Sequence, residues 1–233
     1  MKKFYSLFIL LMLSLVVTSC SKKDDNPAAP SEEAPGIPAV SFKGPNTNST
    51  DQWALYTKST VESMNAYPMM LQAFSSAKPA NSNGQWKWEL SPVSGFSEAF
   101  VGSKNSQGGY TWQLILNGTY EGITYNNWKA LEGNTSADGK SGTWKAYDDN
   151  TTVVVAEYNW STSSAGVLSG TFQEYENGAV NGKLEITNNP DNSGSLLAYD
   201  SGILVFKSIW VAAGTGQWWA YENGVVKTQG SWQ

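Results

Sequence analysis

Beyond Asn83 apolar and polar positions alternate. Trp86, Trp88 and Leu90 alternate with Lys87 and Glu89, and Trp112, Leu114 and Leu116 with Thr111, Gln113 and Ile115. This is the pattern of half-buried antiparallel strands. Further strands are predicted near 96–101, 121–130, 142–148, 152–160, 167–175, 180–187, 194–199, 203–211, 215–222 and 225–232. Asn177-Gly178, Asn223-Gly224 and Asp148-Asp149-Asn150 supply turns between them, and a two-residue Asn-Gly turn forces consecutive strands to pair. Residues 50–77 instead have a helical period. Trp53, Tyr56, Thr60, Met64, Tyr67, Leu71 and Phe74 recur at spacings that line one helix face, with Ser49, Thr50 or Asp51 as cap. Pro68 lacks a backbone donor, which predicts a kink or break near Tyr67. The methionine and aromatic stripe reads as core packing.

A degenerate repeat supports this division. "GTWKAYDDN" from 142, "GTFQEYENGAVNG" from 170 and "GQWWAYENGVVKTQGSW" from 216 share a glycine, an aromatic two positions on, a tyrosine three further and an acidic turn. The unequal spacing marks a reused hairpin, not a regular solenoid. These segments resemble the hairpin repeats of MORN-like bacterial surface proteins, a likeness that carries no function across. The expected fold is mainly β, an antiparallel meander forming a strongly curved sheet or up-and-down barrel with the N-terminal helix packed against it. A two-sheet sandwich is the alternative.

The first residues give an address. Lys2 and Lys3 precede an apolar stretch, Phe4 to Val17, too short to span a bilayer permanently. Val17, Thr18 and Ser19 then lead into Cys20, the only cysteine. This segment resembles the lipobox of bacterial lipoproteins, which implies removal of residues 1–19 and acylation of Cys20, a membrane anchor that leaves no free thiol. Ser21, Lys22, Lys23, Asp24 and Asp25 resemble the acidic export signal of surface-exposed lipoproteins of Bacteroidota, implying an outer-membrane protein facing the cell exterior. Residues 20–45, with Pro27, Pro30, Pro35, Pro38 and Pro45, read as a disordered tether. Its 25 or so residues reach up to roughly 80 Å. Residues 46–233 form one β-rich domain.

Composition narrows the chemistry. Without residues 1–19, 13 lysines face 20 acidic residues, and the chain has no arginine or histidine. That balance argues against a nucleic-acid partner. It also removes the commonest general base, so nucleophilic triads are disfavoured. Glu157, Glu174, Glu176 and Glu222 leave carboxylate-based glycoside hydrolysis as a residual enzymatic idea, but a non-enzymatic protein is expected. The oxygen-rich turns at 148–150 and 188–194 lack calcium-loop spacing and read as turn chemistry, so neither metal nor cofactor is expected. With Trp144, Phe172 and Trp218 inward, Tyr147, Tyr175, Trp219 and Tyr221 fall on the outer face beside Lys145 and Gln173. Aromatic rings with neighbouring amides and carboxylates suit stacking on sugars. Ordinary cross-strand pairing explains the same tyrosines without a ligand. The leading expectation is a binding module for an extracellular glycan or a surface protein. The alternatives are a carrier holding a lipid between sheet and helix, and a purely structural envelope protein.

Overall fold

The computed structural model describes residues 33–233. The expected signal segment, Cys20 and the start of the tether lie outside the described residues. Thirteen strands follow in one meander: β1 (Ala80–Ser82), β2 (Gln85–Val93), β3 (Phe96–Lys104), β4 (Tyr110–Tyr120), β5 (Ile123–Thr135), β6 (Ser141–Tyr147), β7 (Val154–Thr162), β8 (Leu168–Glu176), β9 (Ala179–Asn188), β10 (Gly194–Asp200), β11 (Ile203–Trp210), β12 (Gly216–Glu222) and β13 (Val225–Trp232). Each pairs only with its sequence neighbours, so the sheet is open and single. This corrects the barrel and sandwich expectations. Closure is not needed to bury the apolar face, because helix and N-terminal chain cover it, and both edges are blunted. β1 has three residues, and in β13 Lys227 falls at a register shift between Val226 and Thr228, two ways of discouraging edge pairing.

Two kinds of turn alternate along the meander. At one end of the sheet Glu121-Gly122, Asn177-Gly178, Ser201-Gly202 and Asn223-Gly224 have positive φ at both residues, 47–52° then 77–83°, and Asn83-Gly84 makes the same turn between β1 and β2. This is the two-residue connection whose twist matches that of the strands. At the other end, loops starting at Asn105, Ser136, Ser163, Asn189 and Val211 share one bond. The N–H of the residue three further on donates to the first carbonyl, at 2.9–3.2 Å.

The inner face is organised by tryptophan opposite glycine. Register aligns Trp86, Gly102, Trp112, Gly133 and Trp144 across β2–β6. It also aligns Gly142, Trp160 and Gly170 across β6–β8, and Gly194, Trp210, Gly216 and Trp232 across β10–β13. The rings lie over the glycines. A methyl group would sit 2.2 Å from Trp144 if added at Gly133, 2.3 Å from Trp160 at Gly142 and 2.2 Å from Trp232 at Gly216. The indole N–H groups are held too. Trp160, Trp210 and Trp232 donate to the carbonyls of Gly139, Asn192 and Gly214 at 3.1, 3.1 and 2.7 Å, tying each loop to the strand just beyond the two that it connects.

Helix α1 (Gln52–Met64) is capped by Asp51, whose carboxylate accepts from the N–H groups of Trp53 and Ala54 at 2.8 and 3.0 Å. Its buried face places Trp53 5.3 Å from Phe206 and 5.0 Å from Trp218. Thr57 shares a buried 3.0 Å hydrogen bond with Ser208. Helix α2 (Ala66–Leu71) follows, then a 3-10 turn, Gln72–Ser76. The expected break occurs at Asn65, just before Pro68, which occupies the first turn of α2 where its missing N–H costs nothing.

Residues 33–45 are part of the folded unit, which corrects the tether boundary. Phe42 is buried, with its ring over Gly170, where an added methyl group would lie 2.3 Å away. The side chain of Asn65 exchanges two hydrogen bonds with the Phe42 backbone, both 2.7 Å. Asn188 does the same for Lys43 at 2.7 and 2.8 Å. Side-chain amides thus stand in for a partner strand, and a proline-bearing segment needs no ladder to dock.

One charged group breaks the apolar pattern of the buried face. Glu98 pairs with Leu90 and Leu116, is 0% exposed, and neither carboxyl oxygen has a partner among the described residues. Removal from water pushes its pKa from 4.5 up to about 7, and Tyr120 is a titratable neighbour affected by its charge.

Two predictions follow from this core. Strand glycine is ordinarily worse than alanine, yet Gly142→Ala should destabilise by about 2–3 kcal/mol in urea unfolding because the ring over it is displaced. Gly36, with nothing within 4 Å of its added methyl, should change by less than about 0.5 kcal/mol; equal effects would contradict the pairing. For Glu98 the folded pKa exceeds the unfolded one, so the folded state binds more protons between those values. The associated stability, about 3 kcal/mol, is present below pH 4.5 and lost as pH rises to about 7. Unfolding at about pH 5 and about pH 8 should show Glu98→Gln removing that much of the pH dependence. An unchanged dependence would contradict the burial of an unpaired acid.

Candidate ligand-binding face

The outer face repeats as regularly as the inner one. Four hairpins share a register shift at a tyrosine, which pairs Tyr147 with Val154, Tyr175 with Val180, Tyr199 with Leu204 and Tyr221 with Val226. The hairpin of β10 and β11 is a fourth copy that the aromatic pattern misses. It reads Gly194, Leu196, Tyr199, Asp200, with leucine in the aromatic position. Tyr199 therefore belongs to the tyrosine series alongside Tyr147, Tyr175 and Tyr221.

In three copies the tyrosine hydroxyl is bound by a glutamate on the preceding strand. Tyr147 donates to Glu132 on β5, which also pairs with Lys129, and Lys129 lies 5.1 Å from the Tyr147 ring centre. Burial first, then Glu132, pushes the phenol up to about 12. The bonds from Lys129 and Tyr147 hold the Glu132 carboxyl below its usual range. Tyr147 is only 8% exposed, which corrects its expected place in an exposed patch; the bond to Glu132 draws the ring down onto the sheet. Tyr175 is raised by burial and then by its hydrogen-bonding neighbour Glu157. Tyr199 donates to Glu185 at 3.1 Å, with Lys183 4.2 Å from its ring centre. Glu185 also pairs with Lys183 at 2.7 Å.

The last copy departs from this plan. Glu132, Glu157 and Glu185 stand opposite Lys145, Gln173 and Leu197, but the corresponding position opposite Trp219 is Lys207. Its ammonium lies 5.0 Å from the Trp219 ring centre. Among the described residues no glutamate takes the place opposite Trp219 from which the other copies hold the tyrosine hydroxyl. Trp219 and Tyr221 are half-buried. They are flanked by Gln229 opposite Trp219 and by the exposed Ile209 and Val226, 37% and 44%. The expected residues are not brought together as one site. Tyr147, Tyr175 and the Trp219–Tyr221 pair sit on β6, β8 and β12, about 10 and 20 Å apart at ordinary strand spacing.

Other candidates resolve into structure. Glu174 pairs with Ala156 and Gly182 on the inner side, so the sheet separates it from Glu157, while Glu222 is paired with Lys227 at 2.8 Å. In the turn at 188–194 Asp191 accepts from the N–H and hydroxyl of Ser193 at 2.9 and 2.7 Å. Between helix and sheet, where a carried lipid would lie, Met64, Leu71 and Phe74 are buried against the core. Comparison with protein-family models gave no match, and comparison with curated proteins gave none either.

The contrast between copies is measurable. Tyr147→Phe should cost about 1–2 kcal/mol in urea unfolding, since it leaves a partly buried carboxylate short of a donor. Tyr221→Phe should change stability by less than about 0.5 kcal/mol. Equal costs would contradict the distinction.

Proposed function

We propose that this chain is a non-enzymatic, surface-displayed outer-membrane lipoprotein, anchored through Cys20, whose outer face near Trp219 and Tyr221 binds an extracellular glycan. The observation that carries the reading is the break in the repeat. Three tyrosines are tied to glutamates, whereas the fourth copy presents Trp219, Tyr221 and Lys207 without that tie. Aromatic faces beside amides and a cation suit a ligand with apolar C–H faces and polar edges. Departures from an otherwise consistent repeat concentrate where a protein does its work.

Intact cells carrying the full chain should capture a fluorescent glycan in an array-selected screen and lose that capture after protease shaving. Trp219→Ala at equal expression should weaken capture about tenfold, the loss expected for one stacking platform. Capture that survives shaving, or that is indifferent to Trp219→Ala, would contradict the proposal.

A further inference from the structure

The chemistry of the same face goes one step further, and this step rests on the glycan-binding reading above. Lysines on the outer face are compensated locally. Lys145 stands between Glu132 and Glu157, Lys129 pairs with Glu132, Lys183 with Glu185 and Lys227 with Glu222. Lys207 is different. Its cross-strand neighbours are Leu197 and Trp219, and Glu185, opposite Leu197 on β9, and Glu222, at the end of β12, are each occupied by another lysine. Among the described residues no carboxylate lies within ion-pair distance of its ammonium.

We infer that the ligand is an acidic sugar, whose ring stacks on Trp219 and Tyr221 while its carboxylate pairs with Lys207. The lysine is held against an indole, so its position is set before a ligand arrives and less side-chain freedom is lost on pairing. The ammonium offers three donors, and half-burial on an apolar neighbour strengthens a charge-assisted bond relative to bulk water. The net acidity of the chain works against long-range attraction of a polyanion. The selectivity is therefore local, for single carboxylates and not for densely charged polymers.

The test uses the purified full chain in detergent, titrated with a glucuronate-containing tetrasaccharide and with its carboxyl-reduced form. The wild type should bind the acidic form about tenfold more tightly, a preference that fades with salt. Lys207→Gln should abolish the preference while retaining binding of the reduced form, and Lys207→Arg should keep it. Equal affinity for both sugars, or a preference that survives Lys207→Gln, overturns this inference and leaves the binding function standing. Binding of neither sugar, in a chain whose circular dichroism is native, overturns both.

Discussion

The structure depends on one contact repeated across the sheet, an indole lying over a glycine on the neighbouring strand. A glycine in a strand costs roughly 0.5–1 kcal/mol against alanine, and a tryptophan buries a large apolar area only if the pleat leaves it room. Placing them opposite one another resolves both problems. It lets a single open sheet build a thick apolar layer, which needs only a short helix and an extended N-terminal segment as cover. The same contact fixes the loops, since the indole N–H groups of Trp160, Trp210 and Trp232 hold the carbonyls of Gly139, Asn192 and Gly214. Where β9 offers no such tryptophan, Phe42 supplies the ring over Gly170. The N-terminal segment is thereby a member of the core.

A regular inner face imposes a regular outer face. Four hairpins deliver a tyrosine at the same place, and in three of them a glutamate one strand earlier ties it down. That ladder stiffens the sheet without asking anything of a ligand. The proposed binding site lies at the exception, where Lys207 replaces the glutamate and Trp219 joins Tyr221. Glu98 is an exception of another kind, an acid held in the apolar layer with no partner among the described residues. It makes the packing of the inner face dependent on pH.

Most strands were legible because alternation survives in a one-sided sheet, and the Asn-Gly turns announce themselves. Residues acting across distance were less legible. Leu196 hides the copy at 194, because it stands where the other copies carry an aromatic. Glu121-Gly122 and Ser201-Gly202 make the same turn as Asn-Gly with a weaker signature. Tyr147 looked like a surface ring since its partner, Glu132, lies on another strand. Phe42 was lost among prolines, although a lone large apolar side chain in a polar segment was a signal of docking. Glu98 was also visible, as a charged residue in phase with Phe96 and Phe100. Lys207 became distinctive only once the register set it against three glutamates.

Nuclear magnetic resonance mapping of the folded chain with the glucuronate tetrasaccharide locates the proposed binding face residue by residue. Perturbations should be confined to the outer surface of β11–β13, around Ile209, Trp219, Tyr221 and Gln229. Perturbations centred on Tyr147 and Glu132, or on the helix-covered face, would contradict that location.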